Sequence, residues 1–260
     1  MTPSEGRDTR SQVQDVALVV GGGPGISSSC ARLFAQSGMR VAVAARNPDK
    51  PVLQNLEKTH GVRRYARDAS EPAEVEALFQ GVVRDLGAPT LVVHNIDGRV
   101  AGILRKSITD ADPSLAFETL RNSAFSAFLV GQQAARLMRE NTPDANGTKG
   151  TIIVTNASAA LKGFPASGAF AMACHAKARL AQSMARELMP QGIHVATVPI
   201  DAAIGWTQED GTRAHRLAGT TEDDNMADPD RIAETYLQLH RQHRSTWAFE
   251  VVLRPWSERW

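Results

Sequence analysis

Val16-Ala17-Leu18-Val19-Val20-Gly21-Gly22-Gly23-Pro24-Gly25-Ile26-Ser27 is the stretch whose reading decides the fold. Its first five residues form an unbroken apolar run, the pattern of a strand buried on both faces. Glycines follow at 21, 22, 23 and 25, and a helical pattern then begins. Ala31, Leu33, Phe34 and Ala35 supply its apolar positions, and Ser37-Gly38 stops it. A strand, a glycine turn and a helix in this order aim backbone N–H groups and the positive helix end at a phosphate. Gly21 and Gly25 suit positive φ or close backbone approach. The plain alternative is a tight βα turn with no ligand. A second strand, Val41–Ala45, follows in its proper place and favours nucleotide binding.

Strands and helices alternate along the rest of the chain. Asn47-Pro48 opens a helix that closes near His60-Gly61, and Val62–Ala66 is a third strand with Asp68 just past its end. Ser70 caps a helix running to Leu86-Gly87, and Leu91–His94 is the fourth strand. A long helix runs from Asp112-Pro113 to about Glu140. Thr151–Thr155, Ser167–Met189 and Ile193–Val198 read as strand, helix and strand. Asp228-Pro229 caps a further helix, and Phe249–Leu253 is a last strand. This order predicts an α/β, Rossmann-type doubly wound parallel sheet with helices on both faces. Ligands of such sheets bind at the carboxyl ends of the strands.

The 260 residues fit one α/β domain over 15–260, preceded by a flexible segment 1–14. A formal charge of +1 does not favour nucleic acid or an anionic membrane as partner. No apolar stretch approaches the roughly 20 residues needed to span a bilayer. Met1–Gln14 lacks the apolar core of a signal peptide. The two cysteines, Cys30 and Cys174, make no disulfide framework, and no CxxC or HExxH metal spacing exists. A cytoplasmic protein without a metal is the expectation.

With these motifs in order, the chain resembles a short-chain dehydrogenase/reductase over nearly its whole length. Gly21 and Gly25 have the family's four-residue spacing, and Ser27 stands where its third glycine would be. His94-Asn95-Ile96-Asp97 occupies the place of the Asn-Asn-Ala-Gly motif, with Asn95 kept. Leu180–Leu188 and Gly192-Ile193-His194-Val195 are also typical. Val198-Pro199-Ile200-Asp201 and Leu253-Arg254-Pro255-Trp256 resemble a divergent branch. The resemblance implies cofactor contacts from Gly21, Gly23, Gly25, Ile26, Ser27, Asn95 and Ile204, with Asp68 near the adenine. It implies association through the long central helices, as a homodimer or homotetramer. The apolar residues of Ser114–Arg139 on more than one face suit such burial.

The same resemblance exposes a gap. The family uses Tyr as acid, Lys to lower the Tyr pKa, Ser to hold the substrate oxygen and Asn to support a water. Ser158 takes the Ser position, Phe170 the Tyr position, Cys174 the Lys position and Ser123, beside Asn122, the Asn position. Phe donates no proton, and Cys supplies no fixed cation. The only tyrosines, Tyr65 and Tyr236, lie elsewhere in the chain. Lys177 shares roughly the helical face of Cys174 and has a stem long enough to reach back, unless it is a solvated helix residue. Cys174 reads equally as a buried small hydrophobe.

Cofactor choice rests on the end of the second strand, Ala45-Arg46-Asn47. An NAD site places an acidic residue there, whereas Arg46 offers charge-assisted bonds to a 2′-phosphate. The expectation is NADP(H). Ser27, Ser28 and Ser29 offer hydroxyls to the pyrophosphate. Asp97, Asp201 and Trp206 are expected in the substrate pocket, with 201–226 as a covering loop and Arg99–Lys106 as another wall. The leading expectation is a carbonyl or enone reductase acting on a small organic substrate. The alternatives are a non-redox cyclase or isomerase, and an inactive cofactor-binding partner subunit.

Overall fold

Side-chain alternation along the first strand, β1 (Val16–Val20), divides the core into two halves. Ala17 and Val19 pack on one face with Phe34, Leu53 and Tyr236, while Val16, Leu18 and Val20 pack on the other with Phe79, Met138 and Ala185. A strand buried on both faces is therefore apolar throughout. In the computed structural model, which describes residues 15–207, 213–215 and 226–259, β1 sits inside a six-stranded parallel sheet. The segment 1–14 and the parts 208–212 and 216–225 of the expected covering loop lie outside the described residues.

The other strands are β2 (Arg40–Ala45), β3 (Arg63–Ala66), β4 (Leu91–His94), β5 (Gly150–Ala157) and β6 (Ile193–Ile200), in the order β3-β2-β1-β4-β5-β6. The expected last strand, 249–253, runs beside β6 through parallel bridges at Thr197–Glu250 and Ile200–Leu253. One face carries α1 (Ile26–Gln36), α2 (Pro51–His60) and α7 (Pro229–Arg241). The other carries α3 (Pro72–Leu86), the helical stretch α4 (Pro113–Leu120) with α5 (Ser126–Glu140), and α6 (Gly168–Leu188). Short strands β7 (Ala203–Thr207), β8 (Arg213–His215) and β9 (Met226–Ala227) follow β6 as a separate small sheet. The chain is a doubly wound Rossmann-type single domain, as its pattern predicts.

Three local expectations are corrected. The second helix begins at Pro51, because Asn47 accepts a bond from the Asp49 N–H (2.9 Å) in a turn that delays it. Ser70 does not cap α3: its hydroxyl donates to Asp68 (2.8 Å), and Glu71 is the residue before the first turn. The long central helix is interrupted by a π-turn over Arg121–Phe125. There the Ser126 hydroxyl donates to the Asn122 carbonyl (2.6 Å), a side chain bonding back onto its own helix. Gly98 (φ +82°) packs on this turn, where a β-carbon would lie 2.5 Å from that of Ser123.

Candidate functional site

The sheet order reverses between β1 and β4, and the crevice between diverging connections opens there. Gly21 turns the chain out of β1 with φ +108°, and a β-carbon on it would stand 2.2 Å from the Asn95 carbonyl oxygen. Only glycine fits. Gly25, with φ +86°, precedes α1, and a β-carbon on it would meet only Ile204, at 3.9 Å. Ser27 is buried, and its hydroxyl donates to the Gly21 carbonyl (2.8 Å) while accepting from Asn95 Nδ2 (2.7 Å). It stitches the glycine turn to the end of β4. The Ser28 and Ser29 hydroxyls donate to Gly25 and Asp230. The expectation that the three hydroxyls reach for pyrophosphate is thus corrected: each already serves a protein acceptor.

A cavity of about 580 Å³ extends from this turn toward the ends of β2 and β3. Gly21, Gly23, Ser27, Arg46, Asp68 and Asn95 all line it, as expected. Lys50 and Arg67 join Arg46 there, two cations missed in the sequence because neither belongs to a motif. Lys50 donates to the Gly22 carbonyl (2.7 Å), and burial, aided by the Arg46 charge, lowers its pKa. Asp68 is held by Ser70. Burial raises its pKa, but the Ser70 bonds and the charges of Arg46 and Arg121 outweigh that and leave it lowered. An open helix N-terminus, a glycine cradle and a cationic far end fit a dinucleotide phosphate chain.

A second cavity of about 340 Å³ adjoins the first and shares Pro24, Asn95, Ile96, Asp97 and Arg99 with it. Gly25, Ile26, Ile204, Trp206, Phe170, Cys174 and Lys177 also line it. The choice left open for Lys177 is decided: it is only 2% exposed, and its ammonium donates to the Ile96 carbonyl (3.0 Å). Burial lowers its pKa, with Cys174 and the Asp97 charge acting the other way. Cys174 is buried, and burial pushes its thiol up to about 11 despite the Lys177 charge. It is a packing residue and not a thiolate. Phe170 carries the Arg99 guanidinium over its ring, 4.3 Å from the centroid. Arg99 Nε donates to both carboxylate oxygens of Asp97 (2.9 and 3.0 Å).

Three expected residues fall outside both cavities. Ser158 is not in the wall; β5 contributes Thr155, Asn156 and Ala157, and Ser158 starts the short turn beyond the strand. Ser123 is fully buried in the π-turn beneath Gly98, and its neighbour Asn122 reaches the first cavity instead. Asp201 is buried and faces Arg254 (3.4 Å) and Lys162 (3.7 Å), tying the end of β6 to the C-terminal segment. Of the tyrosines, Tyr65 donates to Asp85 (2.9 Å), away from the site. Tyr236 lies one hydrogen bond behind the cavity wall, its hydroxyl 2.7 Å from that of Thr155. Among the described residues no cluster of His, Cys, Asp and Glu could hold a metal ion. No helix among them is long and apolar enough to cross a membrane.

A family model described as enoyl-(acyl carrier protein) reductase matches residues 21–248. The chain belongs to the short-chain dehydrogenase/reductase family. It is 28% identical to the (+)-cis,trans-nepetalactol synthase NEPS1 of Nepeta racemosa, over 86% of this chain and 83% of that protein. It is also 28% identical to the sorbitol-6-phosphate 2-dehydrogenase of Escherichia coli, over 70% and 69% of the two chains. A short-chain dehydrogenase from Rhodopseudomonas palustris superposes with a TM-score of 0.73 and 30% identity, covering 93% of this chain and 99% of that one. An alcohol dehydrogenase from Thermococcus sibiricus, at 19% identity and a TM-score of 0.76, shares the fold.

Gly21→Ala tests the cradle. The added methyl would meet the Asn95 carbonyl, so the turn must shift and take its N–H groups with it. Affinity for nicotinamide dinucleotides should fall at least roughly tenfold, about one lost hydrogen bond to a charged group. Gly38→Ala, where φ is also positive but nothing lies within 4 Å, is the control for backbone strain alone. Calorimetric titration of both variants compares the two.

Proposed function

We propose that this protein is an NADP(H)-dependent reductase acting on an enone or related carbonyl of a small organic substrate, with Lys177 in the role of acid. The observation that carries the proposal is the Lys177 ammonium, buried in the second cavity beside the cofactor groove. Gly21, Gly23, Gly25, Ser27 and Asn95 would hold the dinucleotide, with Arg46, Lys50 and Arg67 at its adenosine end. NADPH, when bound, would supply the hydride for the β-carbon of the enone, and the charge left on the substrate would be that of an enolate. Lys177 holds the enolate oxygen by an N–H bond and passes it a proton, and water then restores the ammonium. Its lowered pKa makes it a better acid near neutrality than an ordinary lysine.

An enone suits this site better than a simple ketone. Hydride addition to a ketone produces an alkoxide, a stronger base that needs a proton within the transition state. An enolate spreads its charge, and a fixed cation stabilises it directly. The description of the matching family model, an enoyl reductase, agrees with conjugate reduction. Lys177→Met should lower kcat about 10²–10⁴-fold, the contribution typical of a general acid. Native activity should fall as pH rises through the pKa of Lys177, which lies below 10.5, and that limb should vanish in the variant. The assay is NADPH oxidation over an enone panel; full activity in Lys177→Met would refute the assignment.

A second reading is favoured by the nepetalactol synthase relatives and the missing phenol. A cyclase or isomerase would convert its substrate without net loss of NADPH absorbance, so product analysis alongside the same assay separates the two. The preference for NADPH over NADH is a further part of the proposal. Arg46→Ala should weaken NADPH binding roughly tenfold and leave NADH unchanged. Equal affinities in the native protein would remove the basis for it.

The proposal extends to assembly and compartment. Phe117, Phe125 and Phe128 on the α4–α5 stretch are 67%, 41% and 42% exposed, and the last two stack on each other. A second copy of the chain would cover them, giving a homodimer or homotetramer. Light scattering should show a multiple of 28.0 kDa at micromolar concentration, with Phe117→Glu and Phe128→Glu shifting it toward the monomer. Free, buried Cys30 and Cys174 suit a reducing cytoplasm.

A further inference from the structure

The charged lining of the second cavity is unequal. Lys177 and Arg99 bring two cations, and among the described residues Asp97 is the only carboxylate in the lining. The rest of the wall is mostly apolar, with Leu104, Phe170, Ile200, Ile204 and Trp206. The two cations are held differently. Lys177 is sunk into the wall and tied to the Ile96 carbonyl. Arg99 lies over the Phe170 ring, with its side chain 24% exposed. Its Nε satisfies Asp97, and among the described residues neither Nη engages a protein acceptor. Its outer edge thus offers a fork of N–H donors of the kind that grips a carboxylate in two parallel bonds.

Phe170 explains why the guanidinium stays in place. A cation over an aromatic face is attracted by the ring quadrupole, and the contact uses none of the guanidinium's N–H donors. Phe170 thus serves as a platform for Arg99 in the cavity wall.

We propose that the substrate carries a carboxylate, bound by the Nη edge of Arg99, with its carbonyl oxygen at Lys177 and its apolar body against Leu104, Ile204 and Trp206. This rests on the reading of the second cavity as the substrate site and names the class that site selects: an oxo acid with an apolar substituent. Arg99 also borders the cofactor cavity, so the same fork could serve an anionic group of the dinucleotide. The experiment distinguishes the two sources.

Calorimetry on the whole protein saturated with NADP⁺ would compare 4-oxo-4-phenylbutanoate with its methyl ester. The acid should bind about tenfold or more tightly than the ester, one charge-assisted pair. Arg99→Gln should erase that difference while leaving ester binding in place. Asp97→Asn, which removes the competing carboxylate, should widen it, an effect that a merely structural Arg99 would not produce. Equal binding of acid and ester by the native protein overturns the proposal and needs no variant to fold. An Arg99→Gln protein that loses NADP⁺ affinity but keeps the acid preference also overturns it, assigning the fork to the cofactor. No turnover is involved, so a clear acid preference with no NADPH oxidation would sink the reductase reading and leave the carboxylate pocket standing. Enone esters reduced as fast as enone acids would do the reverse.

Discussion

The Asn95 carbonyl lies 2.2 Å from where a β-carbon on Gly21 would be, and that close approach sets the geometry of everything around it. It brings the glycine turn against the end of β4, and the buried Ser27–Asn95 bond locks the two together. The chain leaving β4 is then fixed in space over residues 95–99. Asn95, Ile96, Asp97 and Arg99 line both cavities, so one short segment forms the partition between them. Ile96 gives its carbonyl to Lys177, Asp97 orients Arg99, and Gly98 allows the π-turn to press close.

Lys177 shows what the fold gives up for this arrangement. Its ammonium is almost fully buried, with one carbonyl as hydrogen-bond partner and Asp97 as the nearby opposing charge. Burial holds its pKa below the unfolded value, so the unfolded chain binds the proton more strongly. Between the lowered folded pKa and the ordinary lysine value, stability from this group therefore rises with pH; at neutral pH its charge opposes folding. Nearby His94 is kept neutral chiefly by burial and also by the Lys177 charge. A buried cation retained against such costs belongs to a working site more readily than to a structural one.

The architecture was readable because its signals are local. Apolar runs, glycine positions and helix periods fall on consecutive residues, so β1, the glycine turn and the strand order follow from spacing. The local misses have local causes of another kind. The Asn47 side chain accepts from the Asp49 N–H and the Ser70 hydroxyl donates to Asp68, so both serve turns and not caps. The site was less legible because its contacts cross the sequence. Arg99 and Phe170 meet only in the fold, and so do Lys177 and Ile96. At the end of β5 the cavity wall is formed by Thr155, Asn156 and Ala157, and Ser158 begins the short turn that follows. Asp201 looked like a pocket residue because it follows a strand, yet Arg254 and Lys162 claim it.

Phe170, Cys174 and Lys177 line one cavity and suit one another. A lysine at 174, one helical turn before Lys177, would place two ammonium groups in the same buried wall, where like charges repel with little screening. Cys174 is small and uncharged, with a thiol that burial keeps protonated, so it leaves both the room and the electrostatic freedom for Lys177 to reach the cavity. Phe170 offers its face to the Arg99 guanidinium, 4.3 Å from the ring centroid. On the proposed reading, Lys177 from α6 and Arg99 from the β4 connection supply the positive charge of the second cavity, and apolar residues between them form its walls.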